Sequence, residues 1–458
     1  MSKIPGRITL DEWDRCYATL RAGGLCEPAY GGPLRRHVAD GNSRLLKLRM
    51  DNSSAALRLW NFLLSEEQRL HQARMDGKRL VGTMKDLGTV PVMAYSLDDT
   101  VAFYADGAWW LPCLMENRTG MLELADQLGI DDSFCPVRAM LGAFVSKAHF
   151  PLPDLVTCSV GATCDDMAVI AQRLATLGFD ILWWEMPHRR SPDPGEPAVT
   201  LPGGFAAPQS QVDLVRTELD RVRQALESIS GQTLTDQRLA AGIGRANRVR
   251  SVLADLRELT YTARRCPMPA LEMLIAEMLA IHFCSDQAEA VLVLEELRAE
   301  ARARVRADEG LLEESAVRVF WVNPVADLRV MNLLEDAGGR MCGTEYLFCH
   351  ALDPIPTDLP PMEALARMAL ADPMVGSPVD RAGRIAADVR RFGAEAVVIS
   401  RIPGASHCAL EGRLIAEIVG RQCDIPVLEV EVPSISDALE PTLRTRLEAL
   451  VETVKEGR

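Results

Sequence analysis

The chain has 458 residues, of which 48% are hydrophobic and 25% charged, a composition typical of a globular protein with about two to four domains. The formal net charge of −14 argues against a nucleic-acid partner and against an anionic membrane surface, since both repel an acidic protein. The first residues lack the apolar run of a signal peptide. The most apolar stretch, residues 269–283, is interrupted by Glu272 and Glu277 and is too short to span a bilayer. These features predict a cytoplasmic protein.

The first half of the chain changes from helical spacing to alternating elements. Residues 1–80 are rich in Leu and Arg at helical spacing and predict a helical N-terminal region. The apolar run VPVMAYSL at 90–97 is of strand type. From residue 154, "DLVTCSV" predicts a strand, "CDDMAVIAQRLATLG" a helix with an acidic first turn, and "FDILWWEMP" a second buried strand. A β-α-β unit of this kind predicts a parallel sheet.

The second half repeats this alternation after a long helical stretch. Residues 209–313 predict helices throughout, and alternating strands and helices return near residue 316. The fold class is therefore α/β, with two doubly wound parallel-sheet lobes, a helical N-terminal region and a helical insertion between the lobes. The predicted boundaries are 1–80 for the N-terminal region, 81–208 for lobe 1, 209–313 for the helical bridge and 314–458 for lobe 2.

Three of the twelve cysteines stand where chemistry is expected in such sheets. Ligands of doubly wound folds bind beyond the carboxyl ends of the strands. Cys164 and Cys408 each follow a predicted strand and open a predicted helix, and Cys135 precedes Pro136 at another helix start. The amino end of a helix lowers the pKa of a thiol and stabilises a thiolate. Three such residues from both lobes indicate a site in the cleft between them.

The residue pattern leaves the nature of this site open. Three thiolates from distant segments suit an iron–sulfur cube with one open iron, or a catalytic zinc with one open position. Small buried residues at strand ends explain the same pattern equally well. His407 beside Cys408 allows a Cys–His nucleophile, although adjacent helical residues point in different directions. The chain has no GxxxxGK[ST], GxSxG or HExxH motif. Arg189 and Arg190 follow the second strand and are interpreted as a solvated charge pair, with a CoA phosphate as the alternative partner.

Residues from about 80 to 458 resemble the 2-hydroxyacyl-CoA dehydratase subunit family, which includes benzoyl-CoA reductase subunits and double-cubane cluster proteins. The motifs that carry the resemblance follow one another in the family's order. They are "SFCPVRAMLG" with Cys135, "DLVTCSVGATCDD" with Cys164 and Asp165, "ILWWEMP", "FWVNPVADLRVMNLLEDAGGRMCGTE" with Glu345, "SHCALEGRLIAEIVGRQCDIPVLEVEV" with Cys408, and "RTRLEALVE".

The resemblance implies a [4Fe-4S] cluster between the lobes, with Cys135, Cys164 and Cys408 as its ligands and one iron left open. It implies a heterodimer with a related second subunit, a separate ATP-dependent iron–sulfur activator protein and an acyl-CoA substrate. The implied chemistry is single-electron (ketyl radical) reduction or dehydration of the thioester. Dehydration and ring reduction are not separated by these motifs. A non-catalytic cluster or scaffold subunit of the heterodimer is an alternative function.

A double-cubane cluster in a reductase of small molecules is the other alternative. It requires six cysteines, and Cys158, Cys342 and Cys349 would supply the extra three. A single cube is favoured, because the extra cysteines of that branch do not fall on these positions. Asp165 and Glu345 are the candidate catalytic residues. Asp165 is otherwise only a helix-start residue, and Glu345 otherwise pairs with an arginine.

Overall fold

The computed structural model describes residues 4–24, 32–86, 88–110, 120–282, 284–346, 352–406, 410–433 and 437–458. Two of the predicted site residues, Cys349 and Cys408, lie outside the described residues. The fold is mixed α/β with two separate four-stranded parallel sheets, and the α/β fold class with two lobes is confirmed.

The N-terminal region is helical, as predicted. A two-stranded antiparallel ribbon of β1 (Arg7–Ile8) and β2 (Met50–Asp51) joins the start of this region to the segment before α3. Thr9 accepts a hydrogen bond from the backbone N–H of Glu12, and Ser53 does the same for Ala56, so both side chains cap the helices that follow them. The helices are α1 (Leu10–Ala22), α2 (Arg35–Ala39), α3 (Ser54–Leu64) and α4 (Glu66–Met75).

The sheet of lobe 1 has the order β4-β3-β5-β6, and all its neighbouring strands are parallel. Its strands are β3 (Arg79–Met84), β4 (Thr100–Tyr104), β5 (Leu155–Gly161) and β6 (Ile181–Met186). Its helices are α5 (Val90–Ala94), α6 (Met121–Gln127), α7 (Ala139–Ser146) and α8 (Asp165–Thr176). The predicted β-α-β unit is confirmed as β5, α8 and β6.

The strand predicted at 90–97 is wrong. This run is a buried helix, α5, with Pro91 in its first turn. Proline suits the first turn of a helix, because the N–H that it lacks has no partner there. A short apolar run has the same composition in a buried strand and in a buried helix, and its periodicity does not separate the two.

The helical bridge follows a short hairpin of β7 (Ala198–Thr200) and β8 (Ala206–Pro208). It consists of α9 (Gln209–Ser230), α10 (Asp236–Thr262), α11 (Ala270–His282) and α12 (Gln287–Ala307). Helix α10 contacts α5 of lobe 1. It also contacts β10 (Gly339–Glu345), which is an edge strand of the sheet in lobe 2. The bridge therefore packs between the lobes and holds them together.

The sheet of lobe 2 has the order β10-β9-β11-β12 and is also fully parallel. Its other strands are β9 (Val317–Val322), β11 (Ala396–Arg401) and β12 (Val427–Glu431). Its helices are α13 (Arg329–Asp336), α14 (Pro361–Leu370), α15 (Pro378–Arg391), α16 (Gly412–Cys423) and α17 (Glu440–Gly457).

Both lobes share one strand order, in which the first and third strands of the lobe are neighbours. The chain continues from these two strands towards opposite edges of the sheet. The two strands are β3 and β5 in lobe 1, and β9 and β11 in lobe 2. In open α/β sheets the reversal leaves a crevice at the carboxyl ends, where ligands bind. Cys164 follows β5 and therefore lies after a strand at a crevice of this kind.

Candidate functional site

Cys164 lies at the start of α8, directly after the turn that ends β5. It occupies the N-cap position with extended backbone, and its side chain is half-buried. Its sulfur lies 3.9 Å from Asp166 Oδ2.

Cys135 lies beside the same helix. It precedes a short 3₁₀ turn, Pro136–Arg138, that runs into α7, and its side chain is also half-buried. The 3₁₀ turn packs against α8. The two cysteine segments of lobe 1 are therefore neighbours, although 29 residues of sequence separate the sulfurs.

The loop after β11 reaches across from lobe 2 to both cysteine segments. The backbone N–H and the hydroxyl of Ser406 donate to Asp166 Oδ2 at 2.9 and 2.7 Å. Gly404 has a φ of +78°, and a Cβ at this position would lie 2.6 Å from the carbonyl oxygen of Phe134. No other residue fits there. The loop that leads to Cys408 thus touches the residue before Cys135 and the second residue after Cys164.

Asp165 and Asp166 have opposite orientations at the start of α8. Asp165 is exposed, whereas Asp166 is buried at 4% exposure and carries the contact to lobe 2. The sequence analysis named Asp165 and missed Asp166. The sequence feature that pointed to Asp166 was its position in the first turn of the helix. Asp165 has the same feature, so it does not distinguish the two residues.

Glu345 lies at the carboxyl end of β10, next to β9, and is buried. It accepts two hydrogen bonds from Arg381 of α15, from Nε at 3.2 Å and from Nη2 at 2.6 Å. Arg381 also donates to Glu411 Oε2 at 2.9 Å and to Asn323. These carboxylates hold the pKa of Arg381 above its usual range, despite its burial. The structure thus shows the arginine pair that was the alternative interpretation of Glu345.

Glu411 extends this network towards the loop of Cys408. It is the N-cap residue of α16, the next helix after that loop. Arg381 therefore joins the carboxyl end of β10 to the helix that follows β11. A catalytic role of Glu345 stays a prediction.

Two of the additional cysteines lie inside the sheets. Cys158 is in the middle of β5, paired in register with Met84 and Trp183, and burial raises the pKa of its thiol to about 12. Cys342 is in β10, where burial also raises the thiol pKa to about 12. Its charged neighbours, Arg318 and Glu395, stand at the amino ends of the strands. Neither thiol shares the helix-start setting of Cys135 and Cys164.

The donor set fits a cluster that is bound by three thiolates, although the third cysteine is not among the described residues. Within the described ranges, no group of three or more His, Cys, Asp or Glu side chains is arranged to hold a metal ion. The structure does bring together two half-buried thiols at helix starts and the last residues before Cys408. Thiolates at helix starts are suitable ligands for iron.

Fold and site define a two-lobed α/β protein in which Cys135 and Cys164 lie where a loop of lobe 2 contacts lobe 1. The chain matches the family described as 2-hydroxyglutaryl-CoA dehydratase, D-component, over residues 100–454. The chain belongs to this family, which confirms the resemblance found in the sequence and makes the protein a component of a dehydratase-type enzyme. A search among curated proteins found no match. No helix in the described ranges has the length and apolar character needed to cross a membrane.

Proposed function

We propose that the protein is the iron–sulfur component of an ATP-activated 2-hydroxyacyl-CoA dehydratase and binds a [4Fe-4S] cluster through Cys135, Cys164 and Cys408. Dehydration is proposed in preference to ring reduction because the matched family is a dehydratase family. A related second subunit and a separate iron–sulfur activator protein are the proposed partners, as the family's description of a component implies.

The observation that carries this proposal is the contact of the Cys408 loop with both other cysteine segments. Ser406 and Gly404 connect lobe 2 to Asp166 and Phe134. Residues that are distant in sequence are thereby brought to one place at the carboxyl ends of two sheets. We expect this arrangement of residues that bind one cofactor together. Cysteines that only pack in the core do not require it.

The protein's own residues position and protect the site. Asp166 fixes the loop of Cys408 against the start of α8, the helix that Cys164 opens. When bound, a cluster with one open iron supplies a low-potential electron and a Lewis acid for a thioester oxygen. The packed lobes around it limit the access of water, which protects reactive intermediates.

A single cube agrees better with the geometry than a double cubane. Cys158 and Cys342 are buried in strands of different lobes. Neither lies at a helix start, where Cys135 and Cys164 lie. We therefore assign these two residues to the packing of the sheets.

Iron and sulfide analysis after purification without oxygen tests the proposal. We expect a brown protein with about four irons per chain. Separate Cys135→Ala, Cys164→Ala and Cys408→Ala variants should each lose most of the iron. Cys158→Ala and Cys342→Ala are matched controls, since each removes one thiol from the same lobes and should keep the iron. A colourless wild-type protein, or equal iron loss in the controls, would contradict the proposal.

A further inference from the structure

Arg250 is a buried arginine in the middle of α10, and it forms no ion pair with any carboxylate of the described residues. Its exposure is 2%. Nη1 donates to the backbone carbonyl of Asp353 at 2.6 Å, and Nε has no hydrogen-bond partner. Within the described ranges no carboxylate lies at ion-pair distance from its guanidinium group. Burial lowers the pKa of Arg250 from its ordinary value.

Two other buried arginines have carboxylate partners. Arg44 pairs with Asp327 at 2.9 Å, and Arg257 pairs with Glu277. Arg340 has no carboxylate but donates to three carbonyl groups near the end of α10. A buried charge without such partners is costly and is rarely kept without a function.

The acidic residues around Arg250 are already engaged. Asp86 accepts hydrogen bonds from Thr89 N at 2.7 Å and Val90 N at 3.1 Å and so caps α5. The carboxylate of Asp353 pairs with Arg384 at 2.7 Å. The other groups that face Arg250 are neutral, because burial raises the pKa of each well above its ordinary value: Tyr95, Tyr104 and Cys284.

The position of Arg250 is where a ligand of this fold is expected. Gly88, in the loop after β3, has a φ of +78°, and a Cβ on it would lie 3.0 Å from Arg250 Nη2. Ser159 of β5 donates to the carbonyl of Lys85 and joins this loop to the strand that leads to Cys164. The guanidinium group thus lies at the crevice between β3 and β5, on the same sheet edge as Cys164.

We propose that Arg250 binds an oxyanion of the acyl-CoA substrate, either a carboxylate of the acyl chain or a phosphate of CoA. This inference rests on the proposed function for the identity of the substrate. A guanidinium group binds either oxyanion through two parallel hydrogen bonds. The bound anion supplies a counter-charge to Arg250 at the sheet edge of lobe 1 on which Cys164 also lies.

Calorimetric titration of the full-length protein with coenzyme A, glutarate and inorganic phosphate tests this site. We expect at least one probe to bind, and Arg250→Gln to weaken that binding about tenfold or more, since a charge-assisted hydrogen-bond pair is lost. Arg245→Gln is the matched control, because it removes one charge from the same helix. Arg245 is half-buried and donates to the carbonyl of Tyr95 at 2.8 Å. Its loss should change the affinity by about twofold or less.

The choice of probe separates the two sources of the anion. Binding of coenzyme A and phosphate that depends on Arg250 identifies a phosphate site, and binding of glutarate identifies a carboxylate site. Arg250→Lys is a second variant, for use if Arg250→Gln does not fold. It keeps the positive charge but lacks the planar guanidinium group, so it should bind the probe less tightly than the wild type does. The proposal is overturned if no probe binds the wild type, or if Arg245→Gln weakens binding as much as Arg250→Gln. The iron content of Arg250→Gln should equal that of the wild type, so this result is independent of the cluster test.

Discussion

At the scale of single residues, the site depends on side chains that the sequence does not distinguish from their neighbours. Cys135 and Cys164 were predicted from the rule that sites form at strand ends, and the structure places both at helix starts. Asp166 was not predicted, because its partner Ser406 lies 240 residues further along the chain. Two adjacent acidic residues at a helix start look alike in the sequence. Only the packing of lobe 2 against Asp166 distinguishes it from Asp165.

Asp166→Ala should weaken the contact between the lobes at the site. The substitution leaves the N–H and hydroxyl of Ser406 without their acceptor, so we expect a loss of about 1–3 kcal/mol in the free energy of unfolding. Iron retention should also fall, because the loop of Cys408 is no longer fixed to α8. Urea denaturation and iron analysis measure the two effects.

Asp165→Ala is the control for this prediction. Its side chain is exposed at the neighbouring position of the same helix turn. It should leave stability and iron content close to those of the wild type. Equal effects of the two substitutions would show that the helix start, and not the contact with Ser406, is responsible.

At the scale of elements, α11 shows how polar residues inside an apolar helix acquire partners. Glu272 and Glu277 interrupt the apolar stretch, and both are fully buried. Glu277 accepts hydrogen bonds from Arg257 and from Tyr261 at 2.5 Å. Glu272 accepts from the backbone N–H of Asp51 at 2.9 Å and from Trp60 at 3.0 Å. The helix therefore joins the N-terminal region to the bridge through buried carboxyl groups.

The contribution of Glu272 to the free energy of unfolding should fall as the pH rises from about 5 to 8. Burial and then the charge of Asp51 raise the pKa of Glu272 from 4.5 to about 8. In this window the folded protein holds a proton that the unfolded chain has released, so a rising pH favours unfolding. The slope for one such group is at most about 1.4 kcal/mol per pH unit. Glu272→Gln should remove this part of the slope.

Urea denaturation of both proteins at several pH values measures the slope. Burial also raises the pKa of Glu335, to about 7. Because Glu335 is present in both proteins, the difference between their slopes reports on Glu272. A wild-type slope that the substitution does not change would contradict the assignment.

At the scale of the whole molecule, the lobes are joined by buried polar contacts as well as by the bridge. The interpretation of Arg189 as part of a solvated pair is wrong. Its side chain is buried and donates to the carbonyl groups of Leu370 at 2.7 Å and Asp372 at 3.2 Å in lobe 2. Arg190 is exposed and pairs with Glu196 at 2.7 Å in its own loop. The difference arises because lobe 2 packs against only one of the two residues.

Because of these contacts, the two lobes should unfold in one transition. Urea denaturation followed by tryptophan fluorescence and by far-UV circular dichroism should give coincident midpoints. Arg189→Ala should lower the free energy of unfolding by about 1–3 kcal/mol, since two buried carbonyl groups lose their donor. Arg190→Ala should have no measurable effect. Two separate transitions in the wild type would show that the lobes are independent.

The sequence by itself determined the α/β class, the β-α-β unit at β5 and β6, the helical bridge and the family. These properties follow from local periodicity and from motifs that short segments carry alone. Only the tertiary structure decided that residues 90–94 form a helix, that Asp166 and not Asp165 meets lobe 2, and that Arg250 forms no ion pair within the described residues. Each of these depends on groups that are distant in sequence, and burial by such groups changes the energy of a polar or apolar side chain more than local preference does.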